Sequence, residues 1–255
     1  MADIWSPEQY AAYGDHRKRP YYELLARVGT ENPRLVTDLG CGPGAMTAEI
    51  ASRWPGARVT GVDNSAAMIE AAQRYVTDRV SFRLEDIGAW RPDEPQDLIV
   101  SNAALQWVQG HRDLLPGWAG MLKPGGWLAF QVPGNFDSPS HVLLRELCEA
   151  RGLTTTTRFD LVAEPEEYLA ILAGAGCVAD AWETTYQQVL SGHDAVLEWT
   201  KGTALRPVFD VLADEDERAD FLEQYRKLLA DAYPERPYGT VFPFRRIFVV
   251  ARQAS

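Results

Sequence analysis

Between Arg34 and Val132 short apolar, β-branched runs alternate with segments of helical periodicity. That alternation restricts the chain to parallel strands joined by crossovers, because a helical connection carries the next strand back in the same direction. The runs are "RLVTDL", "ARVTGVD", "VSFRLED", "DLIVSN" and "GWLAFQV". Between them, "AMTAEIASRW" reads as a helix stopped by Pro55 and Gly56. "SAAMIEAAQRYV" reads as a second helix, with Ser65 in N-cap position and Glu70 and Arg74 four apart on one face, an expected ion pair. The spacings suit right-handed crossovers, so the expected fold class is α/β, a doubly wound and mostly parallel sheet. Two later runs, "CVADAWETTYQQVL" and "TVFPFRRIFVVAR", add strands and bracket a helical, aromatic stretch from Ser191 to Tyr233. Neither an internal repeat nor a low-complexity tract is present. The expected organisation is a single domain over 1–255: a core of about 30–135, 165–190 and 238–253, with a helical lid from 1–29, 136–160 and 191–237.

Charge and composition narrow the partners. A formal net charge of -11, with no long basic run, argues against nucleic acid and anionic membranes. Nothing near Met1 has the basic start and apolar run of a signal peptide, and no apolar stretch is long enough to cross a bilayer, so a cytoplasmic protein is expected. Cys41, Cys148 and Cys177 are far apart and form no CxxC, which predicts reduced thiols and no zinc site.

The loop after the first strand, in "VTDLGCGPGAMTAEI", places three glycines where such sheets bind ligands. Gly40-x-Gly42-x-x-Ala45 also satisfies the dinucleotide pattern, so the glycines leave a nicotinamide enzyme open. Asp38 argues otherwise. A carboxylate two residues before Gly40 gains nothing beside a pyrophosphate, whereas S-adenosylmethionine brings an ammonium and a sulfonium and no phosphate. Asp63 ends the second strand, where a carboxylate accepts both ribose hydroxyls or, more simply, caps the helix beginning near Ser65. Asp86 is placed to accept from the adenine amino group, with Ile87 beside the ring.

In this order and spacing, "DLGCGPG", "GVDNSAAMIEAA", "EDIGAW", "DLIVSNAALQWV" and "LKPGGWLAFQ" resemble the class I S-adenosylmethionine-dependent methyltransferases. The resemblance implies a seven-stranded sheet whose last strand is antiparallel, and cofactor contacts from Asp38, Gly40, Asp63, Met68, Asp86, Ile87 and Asn102, to which the open glycine turn adds Gly42. Outside the core, "WSPEQYAAYGDHRKRPYYELLARV", "NAALQWVQGHRDLLP", "VPGNFDSPSHVLLRE", "WETTYQQVL", "WTKGTALRPV" and "FPFRRIFVVAR" are similar to the trans-aconitate methyltransferases, which esterify a small tricarboxylic acid.

A tricarboxylate calls for arginines, whose planar forks bind carboxylates through two hydrogen bonds. Arg206 and one of Arg245 and Arg246 are the main candidates. Neighbours on a strand face opposite ways, so only one of that pair is expected to enter the site, with Arg246 preferred. Arg17 and Arg19 lie on an N-terminal segment that could close over the cofactor, with a surface role the better reading for both. Trp107, Tyr186 and Trp199 are expected to wall the acceptor. His16, His111, His141 and His193 have no metal-ligand spacing and read as surface or capping residues, His193 also as a substrate donor. An acid with a pKa near ~4 is already ionised at neutral pH, so neither a general base nor a metal is expected. Other small acids, or a carbon or oxygen acceptor, remain alternatives within the same fold. A nicotinamide reductase and a binding-only sensor of S-adenosylmethionine are the alternatives from other functional classes.

Overall fold

The computed structural model describes residues 14–154, 162–212 and 214–254, and side chains from residue 18 onward. The first thirteen residues of the expected lid, and the side chains of His16 and Arg17, lie outside that description.

The described elements are α1 (Gly14–Ala26), β1 (Leu35–Leu39), α2 (Ala45–Arg53), β2 (Arg58–Asp63), α3 (Ala66–Ala72), β3 (Val80–Leu84) and β4 (Gln96–Asn102). They continue with α4 (His111–Gly120), β5 (Leu122–Pro133), α5 (Pro139–Ala150), α6 (Pro165–Gly174) and β6 (Cys177–Leu190). Helices α7 (Ala195–Lys201), α8 (Arg206–Val211) and α9 (Glu215–Ala232) lead to β7 (Thr240–Gln253). The strands form one seven-stranded sheet in the order β3-β2-β1-β4-β5-β7-β6. Strand β1 pairs in parallel with β2 and β4, and β5 in parallel with β4. Strand β7 runs antiparallel to β5, from Trp127 opposite Arg252 to Pro133 opposite Arg246. The doubly wound, mostly parallel sheet is therefore present, with β7 reversed against β5.

Burial explains the residue choice. Central strands of a parallel sheet are covered on both faces and need near-continuous apolar runs. In β4, Leu98, Ile99 and Val100 are all fully buried, while edge strand β3 is mostly exposed. Ser65 is the N-cap of α3 and its side chain accepts from Met68 N at 3.2 Å. The expected Glu70–Arg74 pair does not form. The helix tightens into a 3₁₀ turn at Gln73–Tyr75, and the Arg74 guanidinium binds the Ala71 carbonyl at 2.9 Å instead.

The chain divides into two compact units: the described residues of Met1–Pro133, Leu161–Thr184 and Arg246–Ser255, and those of Gly134–Asp160 and Thr185–Arg245. The core of the first is built around Leu39, Val62, Ile99, Leu128, Phe130 and Trp118. In the second, α5 and α9 are joined by Tyr225, which donates to the Ser140 carbonyl at 2.8 Å, and by Ser140 N, which donates to the Tyr233 hydroxyl at 3.0 Å. No helix of the described residues is long and apolar enough to cross a membrane.

Candidate active site

The connections from β1 and β4 leave toward opposite ends of the sheet, so the carboxyl ends of these neighbours form the switch point where such folds bind ligands. The loop after β1 is anchored there. Gly40 N and Cys41 N both donate to the Val62 carbonyl, at 2.8 and 3.1 Å, and Gly42 N donates to Asp63 Oδ2 at 2.8 Å. Gly40, Gly42 and Gly44 have φ of 75°, 54° and 81°, the left-handed region. Their surroundings differ. A Cβ at Gly40 would collide with that of Ala104, and one at Gly44 would meet Phe82 and Ala72 inside 3 Å, whereas a Cβ at Gly42 would meet nothing within 4 Å. Two of the glycines are demanded by the protein's own packing; the third borders open space.

Asp38 lies beneath this loop, 1 % exposed. Its Oδ2 accepts from Thr47 Oγ1 at 2.7 Å. Burial pushes the carboxyl up to about 6 from its ordinary 3.8, the Thr47 hydrogen bond opposes the rise, and the nearby Asp63 charge adds to it. No basic side chain of the described residues offsets that burial. A buried acid beneath the glycine loop suits a cationic ligand, and the ammonium and sulfonium of S-adenosylmethionine fit it. Cys41, between Asp38 and Asp63, is held neutral, since burial and then the two carboxylates drive its thiol far above the ordinary range. It is no nucleophile.

Asp63 carries more structure than either sequence reading assumed. Besides Gly42 N it accepts from Ser65 N through Oδ1 at 2.9 Å, joining the glycine loop to the start of α3. Each carboxylate oxygen has two lone pairs, so capacity for ribose hydroxyls remains. Met68 and Ile87 are buried near the ends of β2 and β3. Asp86 is exposed, and its Oδ1 accepts from Gly88 N at 2.7 Å.

At the end of β4, Ala103 has φ of 54°, a strained value for a residue with a side chain. The turn places Ala104 against Gly40 and starts the 3₁₀ turn Leu105–Trp107. Trp107 is 54 % exposed within the described protein. Asn102 and Gln131 are direct partners across β4 and β5, and Gln131 Nε2 donates to Asn102 Oδ1 at 2.6 Å. The guanidinium of Arg246 donates from Nη1 to Gln131 Oε1 at 3.3 Å. Arg246 is buried on the face that carries Gln131, and Arg245, half-buried on the opposite face, donates to the Gly134 carbonyl. Gln131 was missed from sequence. The available signal was one polar residue inside "WLAFQVP".

Tyr186, Trp199 and Arg206 belong to the second unit. Tyr186 and Trp199 are buried, and the Trp199 ring packs on Phe242 and Phe244 at centroid distances of 5.9 and 5.7 Å, a core position. Arg206 is the first residue of α8 and half-buried. The surface-or-capping reading of the histidines needs correction at one position, His111, which is buried with Nε2 2.8 Å from the Tyr168 hydroxyl. His141 is half-buried at the start of α5, edge-on to Phe136 and with Nδ1 3.3 Å from the Ser138 and Ser140 hydroxyls, a capping position. Burial lowers both to about 4. His193 is exposed beside Asp194 and Glu235, and Arg19 is exposed on α1. Among the described residues no cluster of metal-ligating side chains occurs.

The family model described as a methyltransferase domain matches residues 36–126, the span from β1 into β5. The YcgJ protein of Bacillus subtilis shares the fold, with a TM-score of 0.61 at 16% identity over 93% of this chain and 99% of that one. Fold, glycine loop and buried aspartate define a class I S-adenosylmethionine-dependent methyltransferase. The trans-aconitate 2-methyltransferase of Streptomyces coelicolor is 52% identical over 99% of this chain and 88% of its own length, and that of Rhodococcus jostii 50% identical over 98% and 99%. The chain belongs to the trans-aconitate 2-methyltransferase family.

Proposed function

We propose that this protein transfers a methyl group from S-adenosylmethionine to a carboxylate of trans-aconitate, giving a monomethyl ester and S-adenosylhomocysteine, in the cytoplasm. The observation that carries the reading is identity near 50% to trans-aconitate 2-methyltransferases along almost the whole chain, not over the cofactor core alone. The cofactor, when bound, supplies an activated methyl group on a sulfonium. The chain's own residues do the rest by binding and orientation.

Asp38 and the Gly40–Gly44 loop receive the cationic amino-acid end, Asp63 the ribose, and Asp86, Ile87 and Met68 the adenine. Asn102 lies between this set and the acceptor. The acid's carboxylates are held by Arg246 and Arg206, with Trp107, Tyr186 and Trp199 excluding water. The chain acts as one functional domain. No residue removes a proton, because a carboxylate with a pKa near ~4 is already a nucleophile at pH 7. His111 and His141, both lowered to about 4, are weak bases, in keeping with a base-free reaction. Holding reactants in line and dry supplies the rate, an effect worth about 7–11 kcal/mol for well-oriented partners.

The test is incubation with methyl-labelled cofactor and a panel of di- and tricarboxylates. Label recovered in a base-labile ester of trans-aconitate supports the proposal. Label in another acid, in a base-stable product, or in none refutes it.

A further inference from the structure

The chain Asn102–Gln131–Arg246 has a polarity that can be read without ambiguity. A guanidinium only donates, so the Gln131 atom facing Arg246 must be the oxygen, Oε1. Its amide nitrogen then faces Asn102, and the Asn102 atom receiving it must be the oxygen, Oδ1. Both amide orientations are thus set by one charge on a third strand. The consequence falls on Asn102. Its side-chain carbonyl already accepts from Gln131, and its Nδ2 amino group, a pure donor, is the half of the amide that Gln131 leaves uncommitted.

We infer that Gln131 is a positioning residue that transmits the donor-only character of Arg246 to Asn102, so that the end of β4 presents N–H groups to a carboxylate oxygen. The inference rests on the methyl-transfer reading of this site and extends it to acceptor class. An asparagine turned the other way would offer a carbonyl, which receives the N–H of an amine; turned this way its free half offers N–H groups, which suit an anion and give an ammonium nothing to donate to. The surroundings support a built device. Gln131 is 1 % exposed in an otherwise apolar stretch of β5, where a polar side chain is costly unless satisfied at both ends, as here. Its backbone carbonyl also accepts from Ala103 N at 3.0 Å, tying the same residue to the strained turn that follows Asn102. Two carboxylates are chemically eligible, that of the acceptor acid and that of the cofactor's methionine moiety, and the experiment separates them.

Gln131→Glu keeps size and the bond to Arg246 but has no N–H for Asn102, whose amide then turns its nitrogen inward and its carbonyl outward. The expected result is a rise of at least tenfold in one constant: KM for trans-aconitate if the acceptor is the partner, or the Kd of S-adenosylhomocysteine by calorimetry if the cofactor is. Asn102→Asp, which keeps the acceptor for Gln131 and removes the outward N–H, is expected to raise the same constant. Gln131→Glu leaving both constants within twofold of wild type overturns the inference. So does a uniform fall in kcat and Tm with unchanged KM and Kd, the signature of a packing role.

A second measurement needs no folded variant of Gln131. In wild-type protein with nitrogen-labelled asparagine, the Asn102 side-chain amide resonance, assigned by its loss in Asn102→Asp, is expected to shift and gain protection from solvent exchange when S-adenosylhomocysteine and trans-aconitate bind. No change on saturation overturns the inference. If trans-aconitate is not a substrate at all, the proposed function fails by the labelled-methyl assay, while the response of Asn102 to S-adenosylhomocysteine alone still tests the polarity.

Discussion

Asp38→Asn separates the cost of a buried charge from its use. The rise from 3.8 to about 6 means that, without ligand, the folded protein favours the neutral acid. Because the folded value lies above the unfolded one, this stabilisation is complete below pH 3.8 and lost as pH rises through about 6. At about 1.4 kcal/mol per pH unit the full loss is about 3 kcal/mol at pH 8, of which about 1 kcal/mol has already gone at pH 4.5. Asparagine keeps an oxygen for the Thr47 hydroxyl and cannot ionise. Its extra amide hydrogens add a penalty of about 1–3 kcal/mol if unsatisfied, but one that does not vary with pH. The stability of Asp38→Asn relative to wild type is therefore expected to improve by about 2 kcal/mol between pH 4.5 and pH 8, whatever its constant offset. Urea unfolding of both unliganded proteins at the two pH values, compared at a shared slope, measures this. Calorimetry with S-adenosylmethionine is expected to show the opposite preference: the variant loses about 1.5–3 kcal/mol of binding, and wild-type affinity climbs with pH up to about 6 and then levels. A stability difference that is flat with pH, or undiminished cofactor affinity in the variant, refutes the assignment of Asp38 as an acid kept for a cation.

Gly42→Val is expected to weaken cofactor binding at least tenfold, since it fills the open glycine position of the loop after β1; Gly42→Ala, which carries the backbone strain of φ 54° with less bulk, provides the comparison by calorimetry. Arg206→Ala is expected to raise KM for trans-aconitate far more than KM for the cofactor, with Arg206→Lys restoring only part; equal effects on both identify a folding role instead. With saturating cofactor, single-turnover rates are expected to stay nearly level from pH 6 to 8, and a tenfold climb over that range refutes the base-free reaction. Trp199→Ala is expected to lose about 3–5 kcal/mol of stability in urea unfolding, because its ring fills the core against Phe242 and Phe244; unchanged stability contradicts that packing.

The sheet was readable in the sequence because each strand of a covered parallel sheet must be an apolar, β-branched run, and each crossover leaves helical periodicity and a cap such as Ser65 between the runs. The cofactor loop was readable for a similar reason: left-handed backbone at Gly40, Gly42 and Gly44 and a carboxylate at Asp38 are local requirements, met by residues close together in the chain. What each glycine is for was not readable, since Ala104 against Gly40, and Ala72 and Phe82 against Gly44, come from distant segments. Nor was the burial that lifts Asp38 to about 6, a property of everything packed around it. The burial of His111 escaped because a lone histidine has no pattern, and its environment is supplied by the distant Tyr168. The helix pair Glu70–Arg74 failed because four-residue spacing presumes an α-helix that here tightens before Arg74. Alternation along β7 said that Arg245 and Arg246 part company; only the pairing of β7 with β5, and of β5 with β4, decided that Arg246 meets Gln131 and Gln131 meets Asn102. Three residues at positions 102, 131 and 246 share no local signal, and hydrogen-bond polarity passes between them only through the sheet that brings their strands side by side.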